Sequence, residues 1–132
     1  MRTVGELSKG VHASATGTVR DLQVWRLAME LAGQVYELCR SLPSSEQYGL
    51  VSQMQRSAVS IPSNIAEGYG RESKQDFQRF LYIARGSACE LETQLLLTGT
   101  LYSDIQVEPL VEQVVVVQRM ITVLIPKVVR KR

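Results

Sequence analysis

The chain has 132 residues, enough for one small domain with its own apolar core. Apolar residues make up 45% and charged residues 21%, the balance of an ordinary soluble fold, and with one histidine and two cysteines that form no CxxC pair, neither a zinc set nor a thioredoxin-type redox site can be built. The net charge of +2 conceals a split: residues 21–126 carry eight Arg/Lys against twelve Asp/Glu, a body of −4, and the surplus of positive charge sits at the two ends.

Residues 1–20 are rich in Gly, Ser and Thr, show no helical period and lack the apolar stretch of a signal peptide. They read as a mobile N-terminal arm or a vector remnant. The first predicted helix covers 21–42, with Asp21 as N-cap and Pro43 as stop. Leu22, Trp25, Ala28, Ala32, Val35 and Cys39 recur along it at steps of three and four. The second covers 45–67, with Val51, Met54, Ala58, Ile61 and Ile65 as its apolar stripe. Pro62 falls inside it, which predicts a kinked but continuous helix because the period survives on both sides. Gly68 and Gly70 then end it, as C-cap residues with positive φ.

The third helix covers 73–99, with Ser73 and Asp76 in the positions of a capping box. Two runs of small residues, Ser57-Ala58 and Gly86-Ser87-Ala88, are expected to face each other and let the second and third helices approach closely. The fourth covers 105–127. Its "VVVV" at 114–117 has strand propensity, but Val107, Leu110, Val114, Val117, Ile121 and Leu124 follow a helical period. Gln118, Arg119 and Lys127 interrupt this apolar run, so it reads as a core helix and not as a membrane span. The expectation is an all-α, up-down-up-down antiparallel four-helix bundle over 21–127, followed by a basic tail over 128–132. Cys39 and Cys89 are read as small buried core residues in a reducing, cytoplasmic compartment.

Three stretches are candidate sites. "GYGRES" lacks the GxxxxGK[ST] of a phosphate loop and the strand and spacing of a dinucleotide fingerprint, so it reads as a turn. Gln53, Arg56, Asn64 and Glu67 form a polar line on the second helix, and Arg79, Glu90 and Gln94 form another on the third. Each line by itself is a solvated face; if the two lines meet, they make a buried structural network that fixes register. The rival reading is an enzyme that uses Glu67 and Glu90 as paired carboxylates. No nucleophile stands beside a matched base, and no ExxH motif of a di-iron bundle is present. The third stretch is "KVVRKR", whose Lys127, Arg130, Lys131 and Arg132 read first as a solubilising end and, in the sharper reading, as candidates for contact with nucleic acid or with an acidic partner.

The sequence "DLQVW" at 21–25, "PSSEQYGLVSQMQRSAVSIPSNIAEG" at 43–68 and "DFQRFLYIARGSACELETQL" at 76–95 carries a specific likeness. Over about 21–125 the chain resembles the four-helix-bundle proteins encoded in intervening sequences of bacterial large-subunit ribosomal RNA genes. The accessory variability determinant protein of diversity-generating retroelements is similar to the same group. Met54 and Ser57 stand where the family usually has Leu and Ala, and Pro126 with the valine run departs from its fourth helix.

The resemblance implies a bundle that assembles as a ring of five and has no known enzymatic activity. The retroelement member is an adaptor for a reverse transcriptase and nucleic acid, but it is basic where this body is −4, so that role carries over weakly. The functional expectation is a non-catalytic homopentameric scaffold or adaptor without cofactor or metal, with RNA or DNA contact through the tail and no membrane association.

Overall fold

The computed structural model describes residues 17–128. Four helices follow one another: α1 Gln23–Cys39, α2 Leu50–Tyr69, α3 Lys74–Leu101 and α4 Glu108–Leu124. Among the described residues there is no β-strand. Each helix packs on the two that adjoin it, with α4 closing back on α1. This is the up-down-up-down bundle that the apolar periods predict.

The helix ends follow local chemistry, and several differ from the sequence reading. Thr18, not Asp21, is the first cap: its side chain accepts from the Arg20 N–H, while the Asp21 carboxylate accepts from the Thr18 N–H at 3.1 Å. Together they hold a 3-10 turn, Val19–Asp21, ahead of α1. The second helix starts at Leu50, five residues later than expected, because Ser44–Glu46 forms a separate 3-10 turn behind Pro43. Glu46 is the capping residue there. One carboxylate oxygen accepts the Leu50 N–H at 3.1 Å, and the other accepts the Tyr102 hydroxyl at 2.6 Å, tying the α1–α2 connection to the end of α3. Ser73 caps α3 as predicted, its hydroxyl accepting from the Asp76 N–H at 3.0 Å. Pro109 enters α4 in the first turn, where its missing N–H removes no helical bond.

The core is a continuous set of apolar side chains from all four helices, among them Leu31, Met54, Ile65, Leu91, Leu95 and Ile121, each 0% exposed. The segment Glu108–Lys127 has a mean hydropathy of 1.4 and meets the length and composition of a membrane span. Its stripe Leu110, Val114, Val117, Ile121 and Leu124 is buried in the bundle. α2 and α3 share the most extensive contact, over Ser57, Ala58, Ala84, Ser87 and Ala88, all buried. Gly86 is the exception within the predicted small run, since it faces outward with nothing near its missing side chain. Pro62 is buried in the middle of α2, which runs unbroken across it.

The two glycines at the end of α2 do different work from the predicted C-caps. Gly68 lies within the helix and is buried, and a Cβ there would sit 2.8 Å from Cβ of Phe80 and 3.1 Å from the carbonyl oxygen of Phe77. Its role is the close approach of α3, which only a residue without a side chain permits. Gly70 does follow the helix, but with φ −80°, so no left-handed conformation is required. Tyr69 packs edge-on against Phe77, centroids 6.0 Å apart, and closes the turn.

Candidate functional site

The predicted polar network is not assembled within one chain. Gln53, Arg56, Glu67, Arg79 and Glu90 are all exposed. Glu67 pairs with Arg71 at 2.8 Å and Arg79 with Asp76 at 3.5 Å, each one turn away on the same stretch of chain. What does form is smaller: the Ser60 and Ser87 hydroxyls lie 2.7 Å apart across α2 and α3, and the Asn64 amide donates to Ser60 Oγ at 2.9 Å and to its carbonyl at 2.8 Å. Gln94 is half-buried and its Oε1 has no partner, while its carbonyl accepts from the fully buried Thr98. The physical reason is packing: the small residues along α2 and α3 draw the backbones together, so the long polar side chains splay onto the surface.

Glu67 and Glu90 do not form a carboxylate pair. Gly68 lies level with Phe80, and Glu90 is ten residues further along α3, roughly 15 Å at the helical rise. No group of three or more His, Cys, Asp or Glu that could hold a metal occurs among the described residues. Of the cysteines, Cys39 is buried, which raises its thiol pKa, but Cys89 is exposed on the outer side of α3, contrary to the core reading.

The fold sorts charge from end to end. One half of the bundle holds the starts of α1 and α3 and the ends of α2 and α4. There Arg20 and Arg26, then Arg71, Lys74, Arg79 and Arg85 around the α2–α3 turn, Arg119 on α4 and Lys127 in the 3-10 turn Ile125–Lys127 after it, face five acids: Asp21, Glu30, Glu67, Glu72 and Asp76. That is eight positive charges against five negative, a net of +3. In the other half only Arg40 and Arg56 oppose Glu37, Glu46, Glu90, Glu92, Asp104, Glu108 and Glu112, a net of −5. Lys127 lies at the basic end. Arg130, Lys131 and Arg132 lie outside the described residues and follow it in sequence.

Aromatic side chains missed as functional candidates sit within this basic end. Phe80 has the Arg79 guanidinium 4.4 Å and the Arg71 guanidinium 4.9 Å from its ring centre, and Arg85 lies 5.0 Å from the ring centre of Tyr82. Arg85 also donates to the Thr122 hydroxyl at 3.1 Å, and Gln78 donates to the Ile125 carbonyl at 2.8 Å, so α3 and the last turn of α4 form one surface. The signal was present in "FQRFLYIAR", where aromatic and basic residues interleave, but the same stretch also carries the core stripe.

The sequence profile of the 23S rRNA-intervening sequence proteins matches residues 20–123. The chain belongs to that family. A solved structure from the same class of fold, a protein of unknown function from the S23 ribosomal protein family of Bacteroides thetaiotaomicron, is 24% identical, with a TM-score of 0.69. The match covers 77% of this chain and 97% of that one, and at this identity it establishes the fold of this family member alone. No curated protein matches the chain. The family is one of unknown function.

Proposed function

We propose that this chain is a non-catalytic scaffold that assembles head to tail into a homo-oligomeric ring. The observation that carries the reading is an uncovered apolar groove between α1 and α2, of about 500 Å³, lined by Trp25, Met29, Tyr36, Val59, Pro62 and Ala66 among others. Met29, Tyr36 and Val59 are 47%, 46% and 44% exposed in the single chain. A second apolar patch, Leu96, Leu97 and Leu101, stands out on α3. Apolar patches of this kind on a small domain mark contacts. Two unlike patches on one chain suit a heterologous interface, which closes into a ring when the rotation allows. Five subunits is the number implied by the resemblance to the intervening-sequence bundles.

The charge asymmetry supports a second element of the reading, contact with RNA or DNA through the basic end and the tail. In a cyclic ring every basic end lies on the same side, so weak contacts add by effective concentration. The two free cysteines, one of them exposed, suit a reducing cytoplasmic setting.

Sedimentation equilibrium at micromolar concentration tests the assembly, and a monomeric wild type would rule it out. Val59→Glu in the groove and Leu97→Glu on the α3 patch should each break the ring. Mixed together, the two variants still own one intact groove and one intact patch, so a heterologous contact gives a heterodimer. Two monomers in that mixture would count against this pairing of surfaces.

A further inference from the structure

The outer face of α3 near its start carries a shallow, wide-open cleft formed by Gln75, Gln78, Arg79, Tyr82 and Ile83, all on successive turns of that one helix. Tyr82 is 52% exposed, a large aromatic ring left to solvent, with Arg85 stacked against it. Arg79 lies against Phe80 on the neighbouring side. The cleft is therefore bordered by planar groups that offer faces, and by two glutamine side chains that offer both donors and acceptors. Gln78 donates to the Ile125 carbonyl, which brings the turn after α4 beside the cleft. The surrounding half of the bundle is the one with net positive charge, in a chain whose other half is acidic.

We propose that this cleft is a stacking platform for single-stranded nucleic acid. It rests on the nucleic-acid reading above and goes beyond it: the tail by itself offers charge without aromatics, whereas the cleft places a base on Tyr82 and its phosphates among Arg79, Arg85 and Lys74. Backbone contact to a basic groove combined with base stacking on aromatic rings is the chemistry by which single strands are held without sequence preference. A duplex keeps its bases stacked internally and cannot use the ring. The acidic half of the bundle repels the strand, which confines contact to this end.

The test is fluorescence anisotropy at low salt with a labelled oligothymidylate and, separately, a duplex of the same length. The single strand should bind more tightly than the duplex. Tyr82→Ala should weaken the single-strand affinity by about five- to 150-fold while leaving duplex affinity unchanged, and Tyr82→Phe should bind as wild type. Tyr82 is not part of the core, so circular dichroism and sedimentation of Tyr82→Ala should match wild type. Deleting residues 129–132 should lower the salt dependence and leave the effect of Tyr82→Ala intact.

If wild type binds neither probe, the nucleic-acid reading and the platform fall together. If it binds but Tyr82→Ala is neutral, or the duplex binds as tightly, the platform alone is wrong and the charged tail accounts for the contact. Displacement of the oligonucleotide by polyglutamate of equal charge at equal concentration would overturn the proposal in favour of an acidic protein partner.

Discussion

Replacing Gly68 by Ala isolates the contact that brings α2 and α3 together. The added methyl would lie 2.8 Å from Cβ of Phe80, 3.1 Å from a ring carbon of Phe77 and 3.1 Å from the Phe77 carbonyl oxygen. Comfortable carbon contacts are about 3.5–4.0 Å. One of the opposing atoms is backbone and another is a Cβ, so neither can turn aside, and the helices must separate by several tenths of an ångström. Over-packing of this kind costs about 1–3 kcal/mol, against which the better helix propensity of Ala returns about 0.5–1 kcal/mol. The expected net loss is about 1–2 kcal/mol, a fall in Tm of roughly 3–10 °C for a domain of this size.

Gly70→Ala is the matched control. Its nearest atoms are 3.7 Å away and its φ is already negative, so stability should be unchanged or raised by up to about 1 kcal/mol. The unfolded-state effect of Gly→Ala is common to both, so their difference reports the native contact. Urea unfolding at one fixed protein concentration measures it, since assembly makes the midpoint depend on concentration. A Gly68→Ala protein as stable as Gly70→Ala would refute the close-approach account.

Glu67→Ala should cost under about 1 kcal/mol in the same urea assay, because the Glu67–Arg71 pair is half-exposed and local, and surface pairs of this kind contribute little. A loss of several kcal/mol would mean that Glu67 is buried against another subunit in the assembly. The Glu46–Tyr102 link should leave a signature at both ends of the pH scale. Tyr102 and the Leu50 N–H hold the Glu46 carboxyl below its ordinary value, so its stabilisation is present above the unfolded carboxylate range and is lost as pH falls through the lowered folded value. Glu46 raises the Tyr102 phenol, so that contribution is present below the ordinary phenol value near 10 and is lost as pH rises through the raised folded value. Tyr102→Phe should flatten the alkaline loss and weaken the acid one. A Tyr102→Phe profile that overlays wild type across both limbs would show the link to be without effect.

Periodicity determined the four helices, because an apolar stripe every three or four residues marks the face that a helix buries, and the short connections between them determined the alternation of direction. It placed Leu91, Ile65 and Val114 in the core, and it resolved the valine run in favour of helix despite its strand propensity. It also preserved α2 across Pro62. Capping was legible where donor and acceptor are close in sequence, as at Ser73 and Asp76, and was missed at Glu46, whose two partners are Leu50 and the distant Tyr102. The polar lines lie along single helix faces as read, but within one chain they stay on the surface and form no buried network, since spacing along a helix says which residues share a face but not how close the next backbone comes. That closeness is set by Gly68, Ala58, Ala84 and Ala88. The basic end had no counterpart in the linear sequence. Arg26, Arg79 and Lys127 are tens of residues apart in the chain, and only the alternation of helix direction stacks them at one end, beside an aromatic ring whose exposure no periodicity could report.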